Sequence, residues 1–567
     1  MDLAQSLIPL RTSHEAFRRM DALGKAGTPF LFVLDYALER PLVLPLDEID
    51  PGRLRFAFPN GSNLPEADAK PRTPEWGIRT IHSLDPEKYR QAFAIAHQAF
   101  MAGESYLLNL TASTPVDYCG RLPQLLEHLD APYRLWVSGE LLGQENEGFL
   151  VFSPESFIRM ENDAIKTFPM KGSLRTSLEQ REQAIRTLLE DPKEAAEHVT
   201  VVDLLRNDLA RISTGVHVPR YRYVEDVRLP DSLLLQTSSE IVGELPSHWR
   251  EQIGSILRKL LPAGSVTGAP KRRTCEHIAV AERGLGQSRG HYTGVCGHFD
   301  GTNLDSAVMI RFLEDVGPLD GQPDMRRGCF KSGGGLTVSS NWEREWEELN
   351  HKISLPLEPL LMETMCLRNG QLERIAEHQE RTARSGLACF GKVPEWNWEH
   401  VLTTLSEVPK AKRDRVRLRY TSRNWELETF PYTLRRPDRL FVEDIGGLSY
   451  SHKHTDRSGL DALRSSCAKK HGLDAGDLSW DLLLVRGDEI LETSYTAVVL
   501  EIDGLLWTPE HPMLPSTRIA SLLRYSIVRP RQLLLKDLAL ASKLWLVNAM
   551  VGLEDAVTIT PNAVVLP

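Results

Sequence analysis

An α/β protein of α+β character, built as two successive units, is the fold class this sequence predicts, and three observations carry the prediction. Apolar strand-like runs alternate with amphipathic helical stretches along all 567 residues, a mixture that packs sheets against helices. The run Ile353-Ser-Leu-Pro-Leu-Glu-Pro359 places two prolines close together, and the pattern then restarts with strand, turn and helix from Leu361 to Arg384. Apolar content of 41% with 25% charged residues is that of an ordinary globular chain, at a length that suggests about two to four domains. The predicted organisation is one unit over 1–352, a linker over 353–360 and a second unit over 361–567.

In the first unit, Phe30 to Leu38 and Leu54 to Phe58 read as strands, Pro86 to Met101 as an amphipathic helix, and Tyr133 to Gly143 as a further strand. Gly148 to Ser173 reads as strand, an Asn162-Asp163 turn, and a strand running into Pro169 and Lys171. From Pro192 to Ile212, apolar residues recur at Val202, Leu205, Leu209 and Ile212, with a second set at Val201 and Leu204, the mark of a helix covered on two sides. Tyr292 to Glu314 reads as a hairpin around Asp300-Gly301, Ser332 to Val338 as a glycine-rich strand entry, and Trp342 to Lys352 as a charged helix. In the second unit a hairpin from Val416 to Phe430 turns at Arg423-Asn424, and Tyr432 to Arg439 leads into a last α/β segment.

Charge and composition exclude several roles. A net charge of −10, with no Lys/Arg run, offers no field for nucleic acid. The N-terminus (MDLAQSLIPLRTSHEAF) lacks a basic region followed by an apolar core, and no apolar stretch is long enough to span a bilayer, so a cytoplasmic protein is expected. Seven scattered cysteines without a C-x-x-C pair suggest neither a disulfide framework nor a thiolate zinc site.

Lys171 is the most informative single residue. A structural lysine favours a solvated helix face, whereas one at the mouth of a buried hairpin beside Gly172 can be desolvated into a nucleophile. Glu197 lies on the two-sided helix, which buries a carboxylate unless a cation meets it. Glu348 and Lys352 face the same way one helical turn apart, a spacing that by itself describes an exposed ion pair. Ser265-Val-Thr-Gly-Ala-Pro-Lys271 and Ser332-Gly-Gly-Gly335 are small-residue segments that let backbone amides approach an anion. Arg311 closes an alternating strand and could fork onto a carboxylate.

Together the stretches SPESF, FPMKGS, EHVTVVDLLRNDLARIS, LLPAGSVTGAPKRRTCEHI, HYTGVCGHFDGTNLDSAVMIR and GGGLTVSSNWEREWEELNHK resemble the chorismate-utilising enzymes. The resemblance implies a two-sheet sandwich with helices, and a Mg²⁺ held by Glu197 and Glu348 on the ring carboxylate of chorismate. It further implies that Thr267, Tyr292, Arg311, Lys352 and the amides near Gly335 hold the substrate's carboxylates. Aminodeoxychorismate synthases resemble this chain in carrying lysine in the P-x-K-G-[ST] motif, where anthranilate synthases have alanine. Lys171 is then the nucleophile and Glu155 the proton donor. Leu107 stands where isochorismate-forming relatives place a water-activating lysine, which disfavours hydroxylation. Relatives often carry a histidine in the strand corresponding to Gln236-Thr-Ser-Ser239, and the Leu-Leu-Glu-Ser motif of tryptophan-inhibited relatives is absent. No segment resembles a glutaminase nucleophile elbow, so free ammonia or a separate glutamine amidotransferase partner is expected.

Beyond Leu361, METMCLRNGQLERIAEHQERTARS, HKHTDRSGLDALR, GDEILETSYTAVVLEIDGLLWTP and MLPSTRIASLL are similar to the class IV pyridoxal-phosphate enzymes, a group containing branched-chain aminotransferase and 4-amino-4-deoxychorismate lyase. The resemblance implies a two-subdomain α/β unit and pyridoxal 5'-phosphate. Lys453 becomes the Schiff-base lysine, Glu492 the partner of the pyridine nitrogen, Arg381 with Ser516 and Thr517 the phosphate site, and Thr364 a residue of the lyase site. Cys366 and Val551 stand where relatives carry arginine. Two adjacent modules that match successive steps imply a bifunctional enzyme making 4-aminobenzoate from chorismate and ammonia. The alternatives are a synthase fused to a class IV aminotransferase of other specificity, or to a non-catalytic docking module.

Overall fold

A computed structural model describes residues 12–65, 76–176, 180–229, 232–406 and 413–566. The N-terminal run read for a leader lies largely outside them, over 1–11. The chain forms two compact mixed α/β units, divided between Leu357 and Glu358.

The first unit holds two nine-stranded antiparallel sheets. One runs in the order Met170–Thr176, Ser232–Glu244, Ala164–Thr167, Ser156–Glu161, Leu304–Val308, Val295–Phe299, Phe30–Leu34, Leu42–Pro45, with Thr214–Leu229 against Ser232–Glu244. The other runs Gly268–Ala269, Leu107–Cys119, Gln322–Leu336, Phe312–Leu319, Phe149–Ser153, Tyr133–Val137, Leu54–Phe58, Gly61–Ser62, with Gly77–Ile81 against Leu107–Cys119. Strand alternation explains the layering. Leu31 and Val33 point into a core shared with Phe56, Leu135, Phe149 and Phe312 of the other sheet. Phe30, Phe32 and Leu34 point the opposite way, into a core with helices Ser13–Ala26, Pro192–Ala210 and Ile253–Leu260. A strand covered on both faces is apolar throughout, as Phe30–Leu34 is. The second sheet is covered in turn by helices Pro86–Met101, Lys271–Gly284 and Trp342–His351.

Several sequence expectations are corrected. The single strand read between Gly148 and the Asn162-Asp163 turn is two strands in different sheets, Phe149–Ser153 and Ser156–Glu161, because Pro154 breaks the ladder and the chain crosses the sandwich there. Ser332 to Val338 is no strand entry: the glycines close the 15-residue strand Gln322–Leu336. The strands begun at Phe30 and Tyr133 stop at Leu34 and Val137, the second followed by a tight turn over Glu140–Leu142. The two-sided helix ends at Ala210, two residues early, and the charged helix ends at His351.

The second unit begins with an antiparallel four-stranded sheet, Gln371–Leu372, Leu361–Arg368, Arg413–Tyr420 and Trp425–Pro431, packed with helices Ile375–Cys389 and Trp398–Ser406. Its remainder contains a four-stranded sheet that includes the parallel pair Arg439–Asp444 and Trp480–Arg486, and a five-stranded sheet built around Ala497–Ile502. Leu440, Val442, Leu483, Val498, Leu500 and Leu544 join these two sheets in one core. Among the described residues no helix is long and apolar enough to cross a membrane.

Candidate active site

Two passages of the chain between the sheets of the first unit meet side by side. Ser153-Pro-Glu-Ser156 carries it from one sheet to the other, and Met309-Ile-Arg311 carries it back. The amide of Phe152 donates to the carbonyl of Arg311 at 3.0 Å, which locks the crossings together. Arg311 sits at φ 57°, a left-handed backbone that costs a non-glycine residue about 1–2 kcal/mol. Glu155 and Arg311 are delivered to one place by this connectivity.

Lys171 arrives by a bulge. Pairing of Met170–Thr176 with Ser232–Glu244 shifts register between Met170 and Ser173, and Gly172 absorbs the shift at φ 83°. The Thr237 hydroxyl holds the Lys171 carbonyl. Lys171 Nζ then lies 3.3 Å from Glu197 Oε2 on helix Pro192–Ala210, and a Cβ placed on Gly335 would meet that Nζ at 3.2 Å.

These groups line a cavity of about 620 Å³, and so do Thr267, Tyr292, Gly335, Glu348 and Lys352. Every site residue singled out in the first half therefore opens onto one space. Lys352 Nζ donates to the Gly333 carbonyl at 2.9 Å and pairs with Glu348 Oε1 at 2.7 Å, while its own carbonyl accepts from Arg311 Nη1 at 2.9 Å. The Thr267 hydroxyl is turned to the Ala263 carbonyl at 2.8 Å, so this residue offers the cavity its backbone. Burial raises the Glu155 carboxyl, against Ser265, Lys171 and Lys352, which favour its charge. Burial also raises the Tyr292 hydroxyl and lowers Arg311. Leu107 closes one wall, 4% exposed and paired with Ala269.

Sequence reasoning missed Glu194 and Glu345, which line the same cavity. Each lies three residues before a named glutamate, and i,i+3 spacing on a helix was the available signal. It missed Asn109 as well, whose buried Oδ1 faces no hydrogen-bond donor, and His198. That ring, fully buried, meets Ser239 Oγ at 2.7 Å, so a histidine does stand beside the Gln236–Ser239 strand, supplied by the helix. Four carboxylates on two helices are hard oxygen donors of the kind magnesium takes. Among the described residues they do not gather into a three-ligand cluster.

In the second unit, the lysine and the carboxylate sit in a shared field. The Lys453 carbonyl accepts from the Met362 amide at 2.8 Å, tying its loop to strand Leu361–Arg368. Burial, then Arg381, pushes the Lys453 amine down to about 7. Burial pushes Glu492 up to about 8, against the Leu514 amide that donates to it at 2.9 Å. Arg381 is buried with its fork on Glu363, at 2.8 Å and 2.5 Å, and its other amino group on the Pro515 carbonyl at 3.3 Å. His378 and Arg381 together hold Glu363 down to about 2 although burial opposes them. Glu363 and His378 were not read from sequence. Ser516 caps helix Thr517–Arg524, and the Thr517 hydroxyl is buried without a partner. An orphaned hydroxyl at a helix N-terminus, beside a buried guanidinium, fits a phosphate. Thr364 lies on the strand face opposite Glu363. Cys366 and Val551 pack together with Met550 in a small apolar cluster.

Comparison with known proteins follows this division. The chorismate binding enzyme family matches residues 53–358, and amino-transferase class IV matches 360–557. An uncharacterised PabA-like protein of Haemophilus influenzae is 39% identical over 335 residues, 59% of this chain and 94% of that protein. An aminodeoxychorismate synthase component 1 of Escherichia coli is 32% identical over 295 residues, 51% of this chain and 60% of that relative's length. A solved structure provisionally named a 4-amino-4-deoxychorismate lyase, from Haemophilus somnus, aligns at 26% identity and TM-score 0.30, over 35% of this chain and 98% of that one.

Proposed function

The chain belongs to the chorismate binding enzyme family and carries a class IV aminotransferase domain behind it, and on that premise we propose that it makes 4-aminobenzoate in two steps. The first unit aminates chorismate to 4-amino-4-deoxychorismate with loss of water. The second eliminates pyruvate from that product, leaving 4-aminobenzoate, and residues 353–360 join the two. The observation that carries the reading is a lysine amine in one cavity with a carboxyl that burial raises: Lys171 with Glu155.

In this reading Lys171 Nζ forms a bond to C2 of chorismate as the C4–oxygen bond breaks, and Glu155 protonates the departing hydroxyl. Ammonia then bonds to C4, the C2–nitrogen bond breaks, Lys171 is regenerated, and a proton returns to Glu155. Glu155 is suited to this because burial keeps its proton on to higher pH than an exposed glutamate. Arg311 and Lys352 orient the substrate carboxylates. Leu107, beside Gly335, offers no side-chain base at its own position to activate water. Glu197 and Glu348 would hold magnesium, which would supply positive charge for the ring carboxylate. Ammonia comes from a separate glutamine amidotransferase or from solution.

In the second unit Lys453, Glu492, Arg381, Ser516 and Thr517 form the seat for pyridoxal 5'-phosphate. That cofactor supplies an electron sink. Glu492 would partner the ring nitrogen, Ser516 and Thr517 would take the phosphate, and Lys453, whose amine is pushed down to about 7, would move the proton that accompanies pyruvate loss. With Cys366 and Val551 apolar, these two positions give the substrate carboxylates no cation, and Thr364 is the residue assigned to the lyase site.

Replacing Lys171 by Ala tests the nucleophile. The variant is expected to lose amination of chorismate and to retain conversion of supplied aminodeoxychorismate into 4-aminobenzoate. Amination at the wild-type rate would refute the role.

A further inference from the structure

Outside both sites, strand Arg439–Asp444 and helix Ser458–His471 bring three soft and hard donors to one point. Phe441 and Glu443 share a face of the strand, and Cys467 and His471 share a face of the helix at i,i+4. The Phe441 and His471 rings lie 4.7 Å apart, which fixes the two faces against each other. A carboxylate oxygen of Glu443, the Cys467 sulfur and a ring nitrogen of His471 all lie within 4.8 Å of one another. We propose that Glu443, Cys467 and His471 bind one divalent transition-metal ion, zinc by the chemistry of the donors.

Thiolate, imidazole and carboxylate are the set zinc takes, and two anionic donors balance its charge. In a tetrahedral site such donors stand about 3.3–3.7 Å apart, so the trio needs to close by only about 1 Å, within reach of rotamer adjustment. Glu443 Oε1 is shut off from water and accepts no well-aligned hydrogen bond, with the Cys467 thiol as its neighbour. Cys467 is fully buried, whereas Glu443 and His471 are half-buried, leaving a solvent side for a fourth ligand. His471 also occupies the last turn of its helix, whose C-terminal end favours a cation. Opposing charge is weak there: Lys470 is exposed, and Arg464 is committed to Asp481 and to the Ala475 carbonyl. The ion ties to the sheet the helix that follows the Lys453 loop.

The test uses the full chain, stripped with chelator and loaded with zinc in excess magnesium, which keeps hard-oxygen sites filled. Bound zinc is counted by mass spectrometry in the wild type, Cys467→Ser and His471→Gln. The wild type is expected to hold one zinc more than either variant. Cobalt in its place is expected to give a thiolate charge-transfer band that Cys467→Ser removes. Equal zinc in all three proteins, or a band that survives Cys467→Ser, overturns the proposal. Should Cys467→Ser fail to fold, the half-buried His471→Gln decides the question by the same count, with its circular dichroism as the folding control.

Discussion

Lys171 owes its reach to residues that have no chemistry of their own. Gly172 absorbs a bulge, Thr237 pins the lysine carbonyl, and Gly335 leaves room at the amine. Adding one methyl at Gly335 would press on Lys171 Nζ at 3.2 Å and touch Leu107 Cδ1 at 3.6 Å, an ordinary contact. Both are ends of flexible side chains, so Gly335→Ala is expected to fold while lowering synthase kcat by roughly 10–100-fold through misplaced amine. Thermal unfolding and steady-state kinetics on the same sample check this; unchanged kcat would mean that Nζ is not held where the reaction occurs. Glu155→Gln preserves shape and removes the proton, and a loss of about 10²–10⁴-fold in amination is expected. Steady-state kinetics check this, with thermal unfolding as the folding control; wild-type amination in that variant would rule Glu155 out as the proton donor. Arg381 and Glu363 are coupled in a different way. Breaking their buried pair with Glu363→Ala is expected to cost about 3–5 kcal/mol, because a desolvated guanidinium is left unmatched, and urea unfolding of the second unit measures it.

At the scale of elements, helix Pro192–Ala210 carries Glu194 and Glu197 to the cavity and buries His198 beside them. Burial, then Arg222, pushes the His198 ring down to about 4, below its unfolded value near 6.5. A group with a depressed folded pKa leaves stability intact above the unfolded pKa and withdraws it as pH falls towards the folded one. The first unit is therefore expected to lose up to about 3 kcal/mol between pH 6.5 and 4 from this ring alone. His198→Gln should flatten that part of the urea-stability profile, and an unchanged slope would show that other groups set it. The same helix marks how far sequence reached. Its apolar repeat located it within two residues, and Glu197 was legible from its motif. Glu194 was not, although i,i+3 spacing puts it on the same face. Strand pairing was less legible still: period-2 alternation identifies a strand without naming its partner, so the run from Gly148 to the Asn162-Asp163 turn looked continuous where the chain changes sheet. The bulge at Gly172 and the paired crossings at Glu155 and Arg311 depend on long-range register, which no local pattern encodes. The residues of the site were nameable from motifs, while the reasons for their convergence lay in the connectivity.

For the whole molecule, each unit has its own hydrophobic cores and its own candidate lysine. The two chemistries should separate cleanly by mutation. Lys453→Ala is expected to leave amination intact and to stop aromatic product, so aminodeoxychorismate accumulates; loss of both steps together would mean that the units do not act independently. Absorbance of bound pyridoxal phosphate should be lost in this variant and kept in Lys171→Ala. Glutamine is expected to replace ammonia only when an amidotransferase is added. The most direct measurement is product analysis of the purified chain supplied with chorismate, ammonia, magnesium and pyridoxal phosphate. Pyruvate and 4-aminobenzoate appearing in equal amounts is the predicted result; anthranilate, isochorismate, or aminodeoxychorismate that never becomes aromatic would contradict it.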